Sequence, residues 1–199
     1  DGLERIKLAI CDKNIKYVSF DIFDTLIKRP FYEPKDLFIL LNKYFREYTN
    51  GASGMDFSKI RVYCENLARE QIENEECQDV TLDEIYKTIE VQYDIDKNII
   101  EKLKNKEIEY EIRFCSRRDT GYELYSLALA MGKKVIFTSD MYLSKDTIQK
   151  ILEKNGYVDN EKLYLSSECK LTKSRRDLFK HIQNMPISYF DKNQTGDIM

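Results

Sequence analysis

The stretch Tyr17–Ile27, YVSFDIFDTLI, decides the fold of this chain, because it reads as an apolar strand that ends on acidic residues. Asp21 closes the apolar run, and Asp24 and Thr25 follow it within four positions. An unpaired carboxylate is costly to bury, so two acids at a strand end need an explanation. Either they cap a turn or a helix, as Asp and Thr often do, or Asp21 is a nucleophile at the tip of a parallel strand.

Short apolar runs alternate with amphipathic helical patterns in the second half of the chain. The runs are rich in β-branched and aromatic residues, which is typical of strands buried on both faces of a parallel sheet. Ser144 is placed to cap the helix that Gly156 ends. This alternation predicts an α/β fold with a Rossmann-like, doubly wound parallel sheet. The runs are 15–20, 133–139, 162–167 and 187–190.

A long helical segment interrupts the alternation after the first strand. Asp21 and Ser139 are 118 positions apart (139 minus 21), whereas a crossover between parallel strands needs only about a dozen residues. The intervening patterns are helical, and one of them opens with the capping box Thr81-x-x-Glu84. We therefore predict an α/β core formed by residues 1–27 and 116–199 and a helical insert formed by residues 28–115. The charged stretch 101–113 is predicted to be a solvated helix face.

The composition excludes several classes of protein. The chain has 199 residues, of which 42% are hydrophobic and 34% charged, as in ordinary globular domains. The net charge of −3 lacks the basic surplus of a nucleic-acid-binding protein. No apolar run reaches the length of a membrane span, and no signal-peptide pattern opens the chain. The five cysteines are odd in number and widely spaced, which favours a reducing, cytoplasmic location without disulfides or a zinc site.

Ligands of open α/β sheets bind outside the carboxyl ends of the strands. Polar residues from distant positions of the sequence follow the predicted strands, so we expect them to meet at that edge of the sheet. Carboxylates, hydroxyls and an ammonium group at one edge suit nucleophilic attack on phosphorus. Mg2+ would offset the repulsion between carboxylate and phosphate, and a hydroxyl and a lysine would hold the phosphoryl oxygens. The residues concerned are Asp21, Phe23, Asp24, Thr25, Thr138, Ser139, Asp140, Thr172, Lys173, Asp191, Lys192, Asn193 and Asp197.

Four segments resemble the four motifs of the haloacid dehalogenase-like (HAD) hydrolase superfamily. They are VSFDIFDTLI, KKVIFTSDMYL, LTKSRRDLF and ISYFDKNQTGDI, and the helical insert resembles the cap of the class I members. FDIFDTLIKRP, TLDEIY and TSDMYLS more closely resemble a bacterial group of predicted HAD hydrolases. Members of that group are often encoded with, or fused to, glycosyltransferases of surface-polysaccharide synthesis. The resemblance therefore implies a small phosphorylated substrate and a glycosyltransferase domain as a partner.

The resemblance also implies roles for residues of the first two motifs. Asp21 would be the nucleophile and a ligand of Mg2+, and the carbonyl group of Phe23 would be a second ligand. Thr25 would order the loop. Ser139 would bind the phosphoryl group, with Thr138 as the alternative, because the last residue of the strand usually does this.

The third and fourth motifs are less regular. Lys173 would pair with the nucleophile and the phosphate, and Asp197 would be the second acid of the last motif. Lys192 stands where an ungapped comparison expects a metal-binding Asp, so Asp191 would replace it as the ligand. In the first motif Phe23 occupies the usual place of the general acid and base, which leaves Asp24, one position later, as the catalytic candidate.

Three functions follow from these patterns. The leading one is a Mg2+-dependent phosphatase of a small metabolite, such as a sugar phosphate, whose cap sets specificity. Phe23 and Lys192 favour instead a metal-independent dehalogenase. The same departures also suit a catalytically weak module that binds a sugar phosphate or a partner enzyme. Candidates for specificity in the insert and beside it are Arg61, Tyr63, Arg113 and Arg117.

Overall fold

The structure is a computed structural model that describes residues 2–51, 54–72 and 80–169. Among these residues, no helix combines the length and the apolarity that crossing a bilayer requires. The elements in chain order are α1 (Gly2–Cys11), β1 (Tyr17–Asp21), β2 (Ile27–Lys28), α2 (Asp36–Tyr48), α3 (Phe57–Ile72), α4 (Leu82–Tyr93), α5 (Lys97–Phe114), β3 (Ser116–Arg117), α6 (Asp119–Ala130), β4 (Lys134–Ser139), α7 (Lys145–Lys154), β5 (Lys162–Leu165) and α8 (Ser166–Cys169).

A three-stranded parallel sheet has the order β1-β4-β5 and confirms the predicted α/β class. Asp21 at the end of β1 lies opposite Thr138 of β4, so that Ser139 is one step further along the same edge. The carboxyl ends of β1 and β4 are therefore neighbours, which is where a ligand site of such a sheet is expected.

Burial differs between the strands of this sheet. β4 and β5 are buried along nearly their whole length, as predicted. The prediction of burial on both faces is wrong for β1, where Ser19 is exposed and Val18 only half-buried. Among the described strands β1 pairs with β4 alone. The fourth predicted run, 187–190, lies outside the described residues.

Helix α7 begins and ends where its sequence predicts, and α6 ends just before a glycine. The Ser144 hydroxyl accepts a hydrogen bond from the Thr147 amide at 3.3 Å and caps α7. Gly132 follows α6 with a φ of 66°, a conformation that glycine adopts readily. Tyr125 of α6 packs against Phe137 of β4, with ring centroids 5.9 Å apart. These contacts fix α6 against the central strand.

Helices α2 to α5 lie between β2 and β3, which pair with each other in antiparallel fashion. Helix α2 packs against α3 and α5, and α4 packs against the same two helices. The predicted capping box is present at the start of α4: the Thr81 side chain accepts from the Glu84 amide, and the Glu84 carboxylate accepts from the Thr81 amide at 2.7 Å. The apolar positions of these helices form a shared core, which includes Leu37, Leu41, Phe45, Phe57, Ile85 and Ile89.

Helix α5 departs from the prediction of a solvated face over 101–113. The side chains of Glu107 and Glu111 are buried. Arg61 of α3 donates from Nε and Nη2 to the two oxygens of Glu107, at 2.9 and 2.8 Å. Arg29, which follows β2, donates to both oxygens of Glu111 at 2.9 and 3.1 Å. Each carboxylate accepts two hydrogen bonds from an arginine of another element, and this pairing offsets the cost of burying the charge.

Candidate functional site

A tight turn follows β1 and presents the acidic residues. The amides of Leu26 and Ile27 donate to the Ile22 carbonyl at 2.8 and 2.9 Å, and the Asp24 amide donates to the Ile27 carbonyl at 2.8 Å. Asp24 has a φ of 60°, a left-handed conformation that Asp tolerates better than most residues. This backbone exposes the side chain of Asp24 immediately after the buried Ile22.

Helix α6 and the residues before β5 hold the turn from behind. A Cβ atom at Gly121 would lie 2.4 Å from the Thr25 carbonyl oxygen, so only glycine allows this approach of α6. The Arg118 amide and the Tyr157 hydroxyl both donate to the Leu26 carbonyl, at 2.8 and 2.9 Å. The Arg118 guanidinium also donates to the Asp24 carbonyl. Hydrogen bonds to backbone carbonyls and the close approach of α6 therefore fix the turn, and the acidic side chains take no part in these contacts.

Asp21 is half-buried at the end of β1 and lines a cavity beside the sheet. The Thr25 hydroxyl donates to Asp21 Oδ2 at 3.0 Å. This bond orients the carboxylate, as the sequence predicts for a residue that orders the loop. An oriented carboxylate oxygen at a strand end is suited to act as a nucleophile.

The end of β4 contributes a buried hydroxyl and an exposed acid. The Ser139 hydroxyl is next to β1 at the sheet edge but is buried, and it accepts from the Met141 amide at 3.2 Å. The Thr138 hydroxyl donates to the Phe20 carbonyl at 3.3 Å, between the strands. Neither side chain lines the cavity, whereas Asp140 does. Asp140 was noted in the sequence as a strand-end acid and was given no role.

The cavity has a volume of about 940 Å3 and lies between the strand ends and helices α2 and α3. This volume is near the upper end of the range for small-molecule sites, about 300–1,000 Å3. Three carboxylates line it on the sheet side, from Asp21, Asp24 and Asp140. The cations that line it are Arg29, Lys35 and Arg69.

Arg29 is the buried one of these three cations. Its side chain is 8% exposed, and its guanidinium lies 4.5 Å above the centre of the Phe23 ring. Burial works against the charged guanidinium, but the adjacent Glu111 carboxylate outweighs it and raises the pKa of Arg29. Burial in turn raises the pKa of Glu111, against the opposing effect of Arg29. The arginine therefore stays charged at one wall of the cavity.

A second arginine ties the loop after β4 to the helices. The Arg61 guanidinium is fully buried and lies 4.8 Å from the centre of the Tyr142 ring. It also donates from Nη1 to Glu65 at 2.9 Å, and the Tyr142 carbonyl accepts from the Leu82 amide at 2.9 Å. Tyr142 and Glu65 both line the cavity. Arg61 thus supports the cavity wall from behind.

The four arginine and tyrosine candidates for specificity are not placed on the cavity wall. Arg61 is buried in its ion pairs, and Tyr63 lies on the outer surface between α2 and α3. The guanidinium of Arg117 lies 4.2 Å from the Tyr122 ring centre, and that of Arg113 lies 5.7 Å from the Phe114 ring centre. Sequence reasoning selected them by residue type, and it passed over Arg29 although the quoted FDIFDTLIKRP segment contains it.

The described residues contain part of the predicted metal site. Within them, no three Asp, Glu, His or Cys side chains come close enough together to hold a metal ion. The Asp21 carboxylate and the Phe23 carbonyl supply oxygen, which is the donor type that Mg2+ prefers. The remaining predicted ligands, Asp191 and Asp197, lie outside the described residues, as do Lys173 and Lys192. The oxygens of the Asp21 carboxylate and the Phe23 carbonyl are of the kind that binds a hard divalent cation.

Comparison of the chain with protein-family models and with curated protein sequences finds no match. The chemistry of the site therefore has to be inferred from its own groups. These are accessible carboxylates at the strand ends, one of them oriented by the Thr25 hydroxyl, and a buried guanidinium above the Phe23 ring.

Proposed function

We propose that this chain is a HAD-like hydrolase, a Mg2+-dependent phosphatase that acts on a small phosphorylated metabolite such as a sugar phosphate. The observation that carries the proposal is the position of Asp21. It ends a parallel strand, it is oriented by Thr25, and it faces a cavity large enough for a metabolite. A carboxylate held in this way is suited to nucleophilic attack.

The reaction that we propose has two steps. An Asp21 oxygen attacks phosphorus, the bond from phosphorus to the leaving oxygen breaks, and an aspartyl-phosphate forms. Water then attacks that phosphorus, which releases phosphate and restores the carboxylate. A proton has to reach the leaving oxygen and a proton has to be taken from the water, and Asp24, which lines the same cavity, is our candidate for both transfers.

The groups that hold the phosphoryl oxygens come from later segments in this proposal. Ser139, one position beyond the residue opposite Asp21, would hold a phosphoryl oxygen, and Thr138 is disfavoured because its hydroxyl is directed to the Phe20 carbonyl. Lys173 would complete the set. Mg2+ would be held by Asp21, the Phe23 carbonyl, Asp191 and Asp197, and when bound it offsets the repulsion between carboxylate and phosphate.

The helical segment 28–115 acts as a cap in this proposal. The placement of α2 and α3 on the wall opposite the strand ends supports this role. A cap at that wall would exclude water and select the substrate. The resemblance to hydrolases encoded with glycosyltransferases adds a sugar phosphate and a glycosyltransferase partner to the proposal.

The test is turnover of p-nitrophenyl phosphate and a panel of sugar phosphates, with and without Mg2+. We expect Asp21→Asn to reduce turnover by about 10³-fold or more, because removing a nucleophile abolishes the covalent step. Asp146→Asn is the matched control, since Asp146 is exposed on α7 and pairs with Lys150. Undiminished turnover in Asp21→Asn would exclude Asp21 as the nucleophile.

One observation favours the second candidate function, metal-independent dehalogenation. Phe23 lines the cavity with its ring against Arg29, so an aromatic and cationic surface lies close to Asp21. Release of halide from a 2-haloacid without Mg2+, together with no phosphatase activity, would support this alternative. Binding of a phosphosugar without turnover in either assay would instead indicate the binding module.

A further inference from the structure

Arg29 occupies a position for which the proposed reaction has no role. We propose that Arg29 binds a second anionic group of the substrate, a carboxylate or a phosphate on the part of the molecule that is not transferred. This inference rests on the proposed function for the place of the transferred phosphoryl group, at Asp21. It narrows the substrate to phosphorylated metabolites that carry another acidic group.

The first argument is that the orientation of the Arg29 guanidinium is fixed before any ligand binds. Glu111 fixes Nε and Nη2 of the guanidinium, at 2.9 and 3.1 Å, and the Phe23 ring supports its face at 4.5 Å. The side chain is 8% exposed and lines the cavity. Of the five donors of a guanidinium, Glu111 takes one on Nε and one on Nη2, so the Nη1 donors are the ones that carboxylate or phosphate oxygens would use. Since its orientation is already fixed, little further side-chain entropy is lost on binding.

The second argument concerns the distance from the sheet. Arg29 contacts Phe23, which is two residues beyond Asp21, and its Nη2 lies 4.0 Å from the sulfur of Met141, which is two residues beyond Ser139. Arg29 therefore lies above the loops that follow both strands, on the side of the helices. A phosphoryl group at Asp21 would place the remainder of its molecule in the cavity that this guanidinium also lines.

The third argument is the charge of the cavity. Asp21, Asp24 and Asp140 make its sheet side acidic, which repels a second anion unless a cation compensates. Lys35 and Arg69 line the same cavity, but their side chains are 60% and 40% exposed and pair with Glu33 and Glu65, which also line it. Exposed charges are strongly solvated and bind weakly. The buried, oriented cation among the described residues of this wall is Arg29.

The test compares substrates that differ in one carboxylate. Suitable pairs are 3-phosphoglycerate with glycerol 3-phosphate, and 6-phosphogluconate with sorbitol 6-phosphate. We expect the wild-type protein to show a KM about tenfold or more lower for the acidic member of at least one pair, as a charge-assisted hydrogen bond provides. Arg29→Lys should reduce this ratio, and the double variant Arg29→Met/Glu111→Gln should abolish it.

The double variant removes both charges of the pair and leaves no unpaired buried charge, and thermal unfolding shows whether it is folded. If it does not fold, Arg29→Lys alone carries the test, because it keeps the charge and loses the fork. The matched control is Arg113→Met, the same kind of change at an exposed arginine that is not on the cavity wall, which should leave the ratio unchanged. The KM values for the two alcohols should stay within about twofold in all variants.

Calorimetric binding of the same four compounds separates this inference from the proposed function. If nothing is hydrolysed but the acidic members bind more tightly through Arg29, the proposed phosphatase function fails and the anion site stands. If both members of each pair are hydrolysed or bound equally, or if the preference survives in the Arg29 variants, the second anion site is excluded.

Discussion

The carboxylates at the strand ends and the carboxylates of α5 are the same chemical group in opposite surroundings. Asp21 and Asp24 line a cavity that a metabolite can enter. Glu107 and Glu111 are buried, and each is held by both arms of an arginine fork. The comparison teaches that accessibility, rather than residue type, separates the acids suited to chemistry from those that fix the structure.

The buried pairs nevertheless serve the cavity, because each arginine contacts an aromatic residue of its wall. Arg29 lies on the ring of Phe23 and Arg61 on that of Tyr142. Burying an ion pair contributes little net stability, but breaking one is costly because a lone charge remains inside the protein. We therefore regard these pairs as positioning devices, and the following experiments test the contrast with the strand-end acids.

The largest effect on stability is expected for Glu107→Ala. The buried Arg61 would keep Glu65 as its remaining acidic partner, and the Tyr86 hydroxyl would lose the acceptor that it contacts at 2.8 Å. The free energy of unfolding, measured by denaturant titration, should fall by about 3–5 kcal/mol.

Two further variants compare the buried Glu107 with acids that are accessible to solvent. Glu109→Ala removes an exposed acid of the same helix that pairs with Lys106, and it should change the free energy of unfolding by less than about 0.5 kcal/mol. Asp21→Asn should be equally mild for stability, although we expect it to reduce the proposed turnover strongly. If Glu107→Ala is as mild as Glu109→Ala, the buried pair does not position anything.

A smaller effect is expected for Gly121→Ala, which tests how α6 supports the turn that follows β1. The added Cβ would meet the Thr25 carbonyl oxygen at 2.4 Å and the Leu26 Cα at 3.1 Å, and neither backbone atom can move aside without shifting the turn. We expect a loss of about 1–3 kcal/mol in the free energy of unfolding, with reduced turnover because Asp21 and Thr25 move.

Gly54→Ala is the matched control for that substitution, since a Cβ there meets no atom of the described residues within 4 Å. It should leave both stability and turnover close to the wild-type values. An unperturbed Gly121→Ala variant would show that α6 does not support the turn.

The smallest perturbation is alkylation of the cysteines, which leaves the fold intact. Burial raises the pKa of the Cys64 thiol to about 11 and, together with the neighbouring Glu111, that of Cys115 to about 12. Both thiols therefore remain protonated at about pH 8, and a rise of two pKa units alone slows their reaction by about 100-fold. Peptide mapping should find Cys11, which is exposed, labelled well before either of them.

Denaturant provides the control for this measurement, because unfolding should make the three thiols react at similar rates. Rapid labelling of Cys115 in the folded protein would mean that the end of α5 opens readily. In that case Glu111 would not hold Arg29 in a fixed orientation.

Much of the fold could be read from local patterns. The alternation of apolar runs and helical patterns predicted the parallel sheet, and the Thr81–Glu84 box and Ser144 marked two helix starts correctly. These signals act within a few residues, so the sequence displays them directly. The strand-end position of Asp21 was readable for the same reason, since an acid after an apolar run is a local feature.

The pairing of the buried charges could not be read in this way. Glu107 and Glu111 lie on a helix rich in Lys and Glu, which is the ordinary pattern of a solvated face. Their arginine partners are 46 and 82 residues away in the sequence, and only the folded chain shows that they meet. The position of Arg29 on the cavity wall was missed for a related reason, because lining a cavity depends on neighbours from several elements.

The short ladder between β2 and β3 has a consequence for how this protein can change. Lys28 lies opposite Ser116 and Ile27 opposite Arg117, so the chain leaves for the helices and returns from them at a single point. Insertions and deletions within the helices can then be absorbed without altering the distance between β1 and β4. The residues that line the cavity can therefore change in evolution while the geometry around Asp21 stays the same.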